Sequence, residues 1–164
     1  MIEKTFPITE KLLANCLLSI RKLYELLNTE HDHLQQTIDP TVLFTLSSNK
    51  KELVAQLEQF SNQLRQILSI EELLIEKAGV VKYLEKAKLA DFSTNKALQY
   101  WLDIETLSKK CKSLNEQNAA SIDLLSRYTQ RSLQVLRGKS QLTSTYGPDG
   151  NTRSVLFSHT LISV

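Results

Sequence analysis

The segment TNKALQYWLDIETLSKKCKSLNEQNAASIDLLSRYTQRSLQVLR, residues 94–137, decides the fold. It contains neither glycine nor proline, the residues that most strongly punctuate local structure. From about Asn95 to Arg137 it predicts one unbroken helix of roughly 60 Å at 1.5 Å per residue. Gly138 follows and can adopt the left-handed conformation that ends helices. The chain then turns rich in Ser and Thr around Tyr146-Gly147-Pro148-Asp149-Gly150. A long rod followed by a non-helical tail suits a protein that holds a partner better than one that walls off a catalytic pocket.

Working outward from this segment, Tyr100, Leu107, Leu114, Tyr128 and Val135 recur at seven-residue spacing, with Ile104, Cys111 and Leu125 beside them. Such spacing lays an apolar stripe along one helix face. Asn118 and Ser121 interrupt it near the middle. Upstream, Leu13, Ile20, Leu27 and Leu34 make the same repeat on a first helix, expected over Thr9–Ile38 with Thr9 as its cap. Asp39-Pro40 breaks that helix and starts a second, about Pro40–Leu68, because proline is tolerated where its missing N–H would be unpaired anyway. Leu46, Leu53, Phe60 and Ile67 are its row. The short link predicts an antiparallel hairpin. Gly79 interrupts the apolar residues between 69 and 93, which read as one or two short helices. Ser93 or Thr94 then caps the third long helix, and Leu98 and Trp101 are expected to pack over the hairpin's end.

The whole reads as all-α: an antiparallel bundle of three long helices with one or two short connecting helices and a flexible C-terminal tail. The expected domain organisation is a bundle over 1–138 and a tail over 139–164. Only 4 Gly and 3 Pro are present, too few for the turns of a sheet-based fold. With 20 Lys+Arg against 18 Asp+Glu the chain lacks the basic excess of a nucleic-acid binder. Lys109, Lys110 and Lys112 read as a solvated helix face. No apolar run approaches the roughly 20 residues that span a bilayer. The start lacks the charged-then-apolar pattern of a signal peptide. Two cysteines on apolar seams, Cys16 and Cys111, fit a reducing cytoplasmic setting.

Little in the chain supports chemistry. Glu30 and His33 have the Glu-x-x-His spacing of di-metal carboxylate bundles, but those sites need the motif twice. The remaining histidines are His31 and, far away in the tail, His159. No Cys-x-x-Cys, phosphate loop or nucleophile elbow occurs. No cofactor, metal, catalytic residue or small-molecule substrate is expected. Asn115 and Asn118 lie at i and i+3 on one helix face. They read equally as a register device within a seam and as amides for a partner's backbone. Past about Ile122 the third helix outruns the other two. Leu124, Leu125, Tyr128, Leu133 and Leu136 are therefore expected to be partly exposed, as a binding surface. In the tail Val155, Leu156, Phe157, Leu161, Ile162 and Val164 suggest docking on the bundle or on a partner.

Leu114-Asn115-x-x-Asn118, Leu133-x-x-Leu136 and Tyr146-Gly147-x-Asp149-Gly150, in this order and spacing, resemble the FlgN family of flagellar type III export chaperones. Leu27-x-x-Glu30 and Lys50-x-x-Leu53-x-x-x-Leu57 add to the resemblance, which covers most of the chain. Ala119 stands where many relatives carry Gly, and residues 70–92 are longer than in short members. The resemblance implies a cytoplasmic, non-enzymatic helical chaperone. Such a chaperone binds hook–filament junction proteins by their C-terminal segments, prevents premature assembly and delivers them to the export gate. It implies client binding across about Ile122–Leu142, hence Leu124, Leu125, Tyr128, Leu133, Leu136 and Leu142, with Asn115 and Asn118. Docking to the cytoplasmic domain of the export-gate membrane protein falls, by motif match, on Tyr146 with Gly147 and Gly150. The competing expectation is a coiled-coil scaffold or adaptor that self-associates through the same seam. The chaperone reading expects a monomer or weak homodimer, whereas a scaffold should dimerise without any client.

Overall fold

The row Leu13, Ile20, Leu27 and Leu34 is buried throughout, and it makes the first helix the spine of the fold. The computed structural model describes residues 1–36, 39–137, 145–146 and 152–153. Its helices are α1 (Ile2–Gln36), α2 (Pro40–Ile70), α3 (Lys77–Leu89) and α4 (Asn95–Leu136). This is the expected all-α bundle. Two compact units are distinguished, Met1–Ala119 and Ala120–Val164.

In the first unit, contacts fix the helix directions. Lys50 of α2 meets Glu30 of α1, and Glu71, just past α2, meets Thr5 near the start of α1, so α1 and α2 are antiparallel. Cys111 and Asn118 of α4 meet the carbonyls of Ile20 and Leu27, so α4 runs parallel to α1. Between α2 and α4 the short α3 covers one end of the bundle. Its Val80, Tyr83, Leu84 and Ala87 are buried there.

Asp39 caps α2 as expected, its carboxylate accepting from the Thr41 N–H at 2.8 Å. Thr9 is no cap. α1 starts at Ile2, and Thr9 lies inside it, its hydroxyl 2.9 Å from the Thr5 carbonyl and 3.0 Å from the Tyr83 hydroxyl. Proline at position 7 costs the helix one hydrogen bond. Burial of Ile2 and Phe6 outweighs it, with the Phe6 ring 5.0 Å from that of Phe92.

The inward row of α4 is also not the one its largest residues mark. Ala97, Ile104, Cys111 and Asn118 are buried, whereas Tyr100, Leu107 and Leu114 are half-buried on the flank. Small side chains at Ala97 and Cys111 alternate along that line with the larger Ile104 and Asn118. Leu98, expected over the hairpin's end, is 39% exposed, while Trp101 is half-buried.

α2 and α3 end alike. The N–H of Leu73 reaches the Leu68 carbonyl and that of Glu72 the Ser69 carbonyl. The N–H groups of Phe92 and Asp91 reach the carbonyls of Ala87 and Lys88. Both are Schellman closures, which require a left-handed residue. Glu72 (φ 57°) and Asp91 (φ 62°) occupy those positions in place of glycine. Gly79 is needed for another reason: a Cβ there would stand 1.8 Å from the Leu74 carbonyl oxygen. Residues 145–146 and 152–153 form a two-residue antiparallel pair, β1 and β2, with Tyr146 opposite Thr152. Ile38, the expected helix stop Gly138 and the remaining tail residues lie outside the described residues.

Candidate functional site

Three sets of residues were expected to carry function, and each has a distinct environment. The first is the distal part of α4. Leu124 is 52% exposed, Tyr128 57%, Leu133 44% and Leu136 82%, and Leu125 is half-buried. Ile122 and Val135, inside the expected client-binding range but not singled out within it, are exposed as well. At about 100° per residue, Ile122, Leu125, Leu133 and Leu136 share one flank of the helix, and Leu124, Tyr128 and Val135 the adjoining flank. Together they make half the circumference apolar, wider than the stripe of roughly 100° that a surface helix buries. The polar side carries an exposed Asp123–Arg127 pair at 2.7 Å and the exposed Arg131. Leu142 lies outside the described residues.

The second set is the asparagine pair, and it belongs to a cluster drawn from three helices. Asn118 is fully buried. Its Nδ2 donates to the Leu27 carbonyl at 2.9 Å and to Glu30 Oε2 at 3.0 Å, and its Oδ1 accepts from His31 Nδ1 at 3.0 Å. Glu30, 2% exposed, is also gripped by Lys50 Nζ at 2.9 and 3.1 Å. The same ammonium donates to Asn115 Oδ1 at 3.3 Å. A buried carboxylate is tolerated when its lone pairs are filled this completely. Asn118 thus spends its amide inside the bundle, whereas Asn115 sits at the exposed rim. Glu30 and His33 do not form the metal pair their spacing suggests, because Glu30 faces Lys50 and Asn118. No cluster of metal-binding side chains occurs among the described residues.

A matching cluster occupies the opposite end of α1, and the sequence reading missed it. Glu71, 5% exposed, accepts from Lys86 Nζ at 2.6 Å and from the Thr5 hydroxyl at 2.9 Å. The fully buried Tyr83 donates to Thr5 at 3.0 Å. Burial alone would raise the Glu71 carboxyl, but the Lys86 and Thr5 hydrogen bonds outweigh it and hold it below its ordinary value. Burial pushes the Cys16 thiol up to about 11 and raises Cys111 too. Neither cysteine is disulfide-bonded, and neither has the depressed pKa of a reactive thiol.

The third set is in the tail. Tyr146 is part of the β1–β2 pair, and Gly147 and Gly150 lie outside the described residues. No helix among the described residues is long and apolar enough to cross a membrane.

With this geometry in place, comparison with known proteins returns one family. The family model described as FlgN protein matches residues 1–154. No curated protein and no solved structure matches.

Proposed function

Since the chain belongs to the FlgN family of flagellar export chaperones, we propose that it binds hook–filament junction proteins through the distal half of α4 and delivers them to the export gate through Tyr146. The observation that carries the client surface is the apolar half-circumference of α4 between Ile122 and Leu136, exposed on both flanks. An amphipathic C-terminal segment of the client pairs with it, burying Leu125, Tyr128, Leu133 and Leu136. Each well-buried side chain of this kind contributes about 1.5–3 kcal/mol before ordering costs. Ordering a flexible client costs about 2–5 kcal/mol or more, so affinity is moderate for the area covered, as suits a partner that is later released. The chaperone works in the cytoplasm and performs no covalent chemistry. The division of labour puts client binding on α4 with Leu142 and gate docking on Tyr146, Gly147 and Gly150.

Titration calorimetry with the C-terminal segment of a junction protein tests this reading. Leu133→Ser should weaken binding by at least about tenfold, near 1.4 kcal/mol. A negative heat-capacity change should mark the apolar contact. Tyr146→Ala should leave client binding intact and weaken binding of the gate protein's cytoplasmic domain. Equal loss of both would refute the division. Dimerisation without any client, abolished by Leu133→Ser, would replace the reading with a self-associating scaffold.

A further inference from the structure

Two clefts in the first unit are walled by the same three helices, and neither includes the distal stripe of α4, though Asn115, expected among the client contacts, lines the larger. One, of about 490 Å³, is floored by Leu23 and Leu27 of α1 and walled by Val54 and Ala55 of α2 and Lys112 of α4. The other, of about 270 Å³, is floored by Leu12 and Cys16 of α1 and walled by Leu57 and Leu64 of α2 and Trp101 of α4. They follow one another along α1, each between α2 and α4, and taken together they define a furrow. Its floor from Leu12 to Leu27 is about 22 Å long at 1.5 Å per residue, the length of a four-turn helix.

The furrow explains an oddity of α2. Its heptad row should be core, yet Leu46, Leu53, Leu57, Phe60 and Leu64 are only half-buried and Val54 is 40% exposed. Full burial begins at Ile67 and Leu68, near the end that α3 covers. The bundle has the apolar surface for a further helix along this line.

Charge says what kind of helix. No charged residue lines the smaller cleft. The larger is rimmed by Lys50, Lys51 and Lys112 against a single acid, Glu58. Lys50 is held by Glu30, whereas Lys51 and Lys112 are exposed and form no ion pair among the described residues. A helix C-terminus carries roughly half a negative charge, and acidic side chains in its last turns add to it. Between Ala120 and Arg137 this chain has Arg127, Arg131 and Arg137 against Asp123 alone, the wrong sign for the same rim. A second copy's distal α4 is therefore a poor occupant.

We propose that the α2–α4 furrow docks an amphipathic helix of a partner protein, lying parallel to α1, with its apolar face in the furrow and its acidic C-terminal end against Lys51 and Lys112. This surface is distinct from the client stripe on distal α4 and stands whether or not that reading holds.

Trp101 is the sole tryptophan and reports directly on the smaller cleft. The probe is a synthetic tryptophan-free peptide of about 18 residues, with leucine at heptad a and d positions and glutamates in its last two turns, beside a twin with lysines in their place. Titrated into the full chain at low salt, the acidic peptide should shift Trp101 emission saturably and bind at least about tenfold tighter than its twin. Ser61→Glu and Ala55→Gln, at exposed positions on the α2 wall, should each weaken it severalfold with the helical circular-dichroism signal retained. Lys51→Glu with Lys112→Glu should invert the preference between the peptides. Tyr128→Ser and Leu133→Ser should change nothing, which separates this surface from the client stripe. No emission change, equal binding of the two peptides, or indifference to Ser61→Glu would overturn the proposal. So would a dimer of the free chain that Ser61→Glu dissociates, because a second copy would then own the furrow.

Discussion

Replacing Asn118 by aspartate keeps the side chain's shape and reverses its meaning. The atom that now donates to the Leu27 carbonyl at 2.9 Å and to Glu30 Oε2 at 3.0 Å becomes an acceptor facing two acceptors. Loss of the neutral bond costs about 1 kcal/mol and loss of the bond to the carboxylate about 1.5–3 kcal/mol. The new carboxylate would also confront Glu30, with Lys50 on Glu30 and His31 on the new group as the facing polar partners. It can escape by binding a proton, which lets it donate to Glu30 again. At about 1.36 kcal/mol per pH unit above an unfolded value near 3.9, that escape costs about 5 kcal/mol at pH 7.5 and about 1.5 kcal/mol at pH 5. The introduced carboxyl has a raised folded pKa, so the penalty is least below the unfolded value and grows as pH rises through the folded one. The expected deficit relative to the parent, after adding the lost Leu27 bond, is about 6 kcal/mol at pH 7.5 and about 2–3 kcal/mol at pH 5. Urea unfolding followed at 222 nm at the two pH values, with Asn118→Ala as the uncharged control, measures it. A deficit independent of pH, or one no larger than that of the alanine variant, would refute the reasoning.

Glu72→Gly should stabilise the chain by about 1 kcal/mol in the same urea assay, because glycine takes the left-handed closure of α2 without the Cβ penalty. Gly79→Ala should destabilise it by more than about 2 kcal/mol, since a backbone oxygen 1.8 Å from the new Cβ cannot move without disturbing the α2–α3 link. Glu71 has a depressed carboxyl and so contributes stability above its unfolded value, lost as pH falls through the folded one. Glu71→Gln should therefore be less stable near neutral pH and lose less on acidification below about pH 4.5, read as a flatter plot of unfolding midpoint against pH. With its thiol pushed up to about 11, Cys16 should react with a disulfide reagent at pH 8 at least about tenfold more slowly than a free thiol, and denaturant should abolish the difference.

The long helix was legible because composition and period agreed over its whole length: expected from Asn95 to Arg137, it runs from Asn95 to Leu136. Asp39-Pro40 was legible because cap and proline chemistry are local. Thr9 misled because a hydroxyl that caps a helix end bonds an in-helix carbonyl equally well, and only the distant Tyr83 and the burial of Phe6 decide between them. The seam of α4 was misplaced because large apolar residues signal burial more loudly than Ala97 and Cys111 do. Asn118, read as an interruption, occupies the buried row itself. The Glu30 cluster joins residues 20 and 88 positions apart, so no window of sequence contains it. Glu30-x-x-His33 drew notice by spacing, yet it is His31 that meets Asn118.

The two buried carboxylates do something the apolar rows cannot. Heptad rows of Leu and Ile are nearly self-similar under a seven-residue slip, so burial alone distinguishes registers weakly. A slip of α4 along α1 would set Asn118 against an apolar turn and leave Glu30 short of a donor, and an unpaired buried charge costs about 3–5 kcal/mol. At the other end a slip of α3 would strip Lys86 from Glu71 and Tyr83 from Thr5. Register is thus fixed at both ends of α1 by polar groups, and the stretch between is free to remain apolar and incompletely covered. A furrow between fixed walls loses little entropy on binding a helix, because most of the ordering cost then falls on the partner. The polar clusters hold the walls in register so that the furrow keeps its shape.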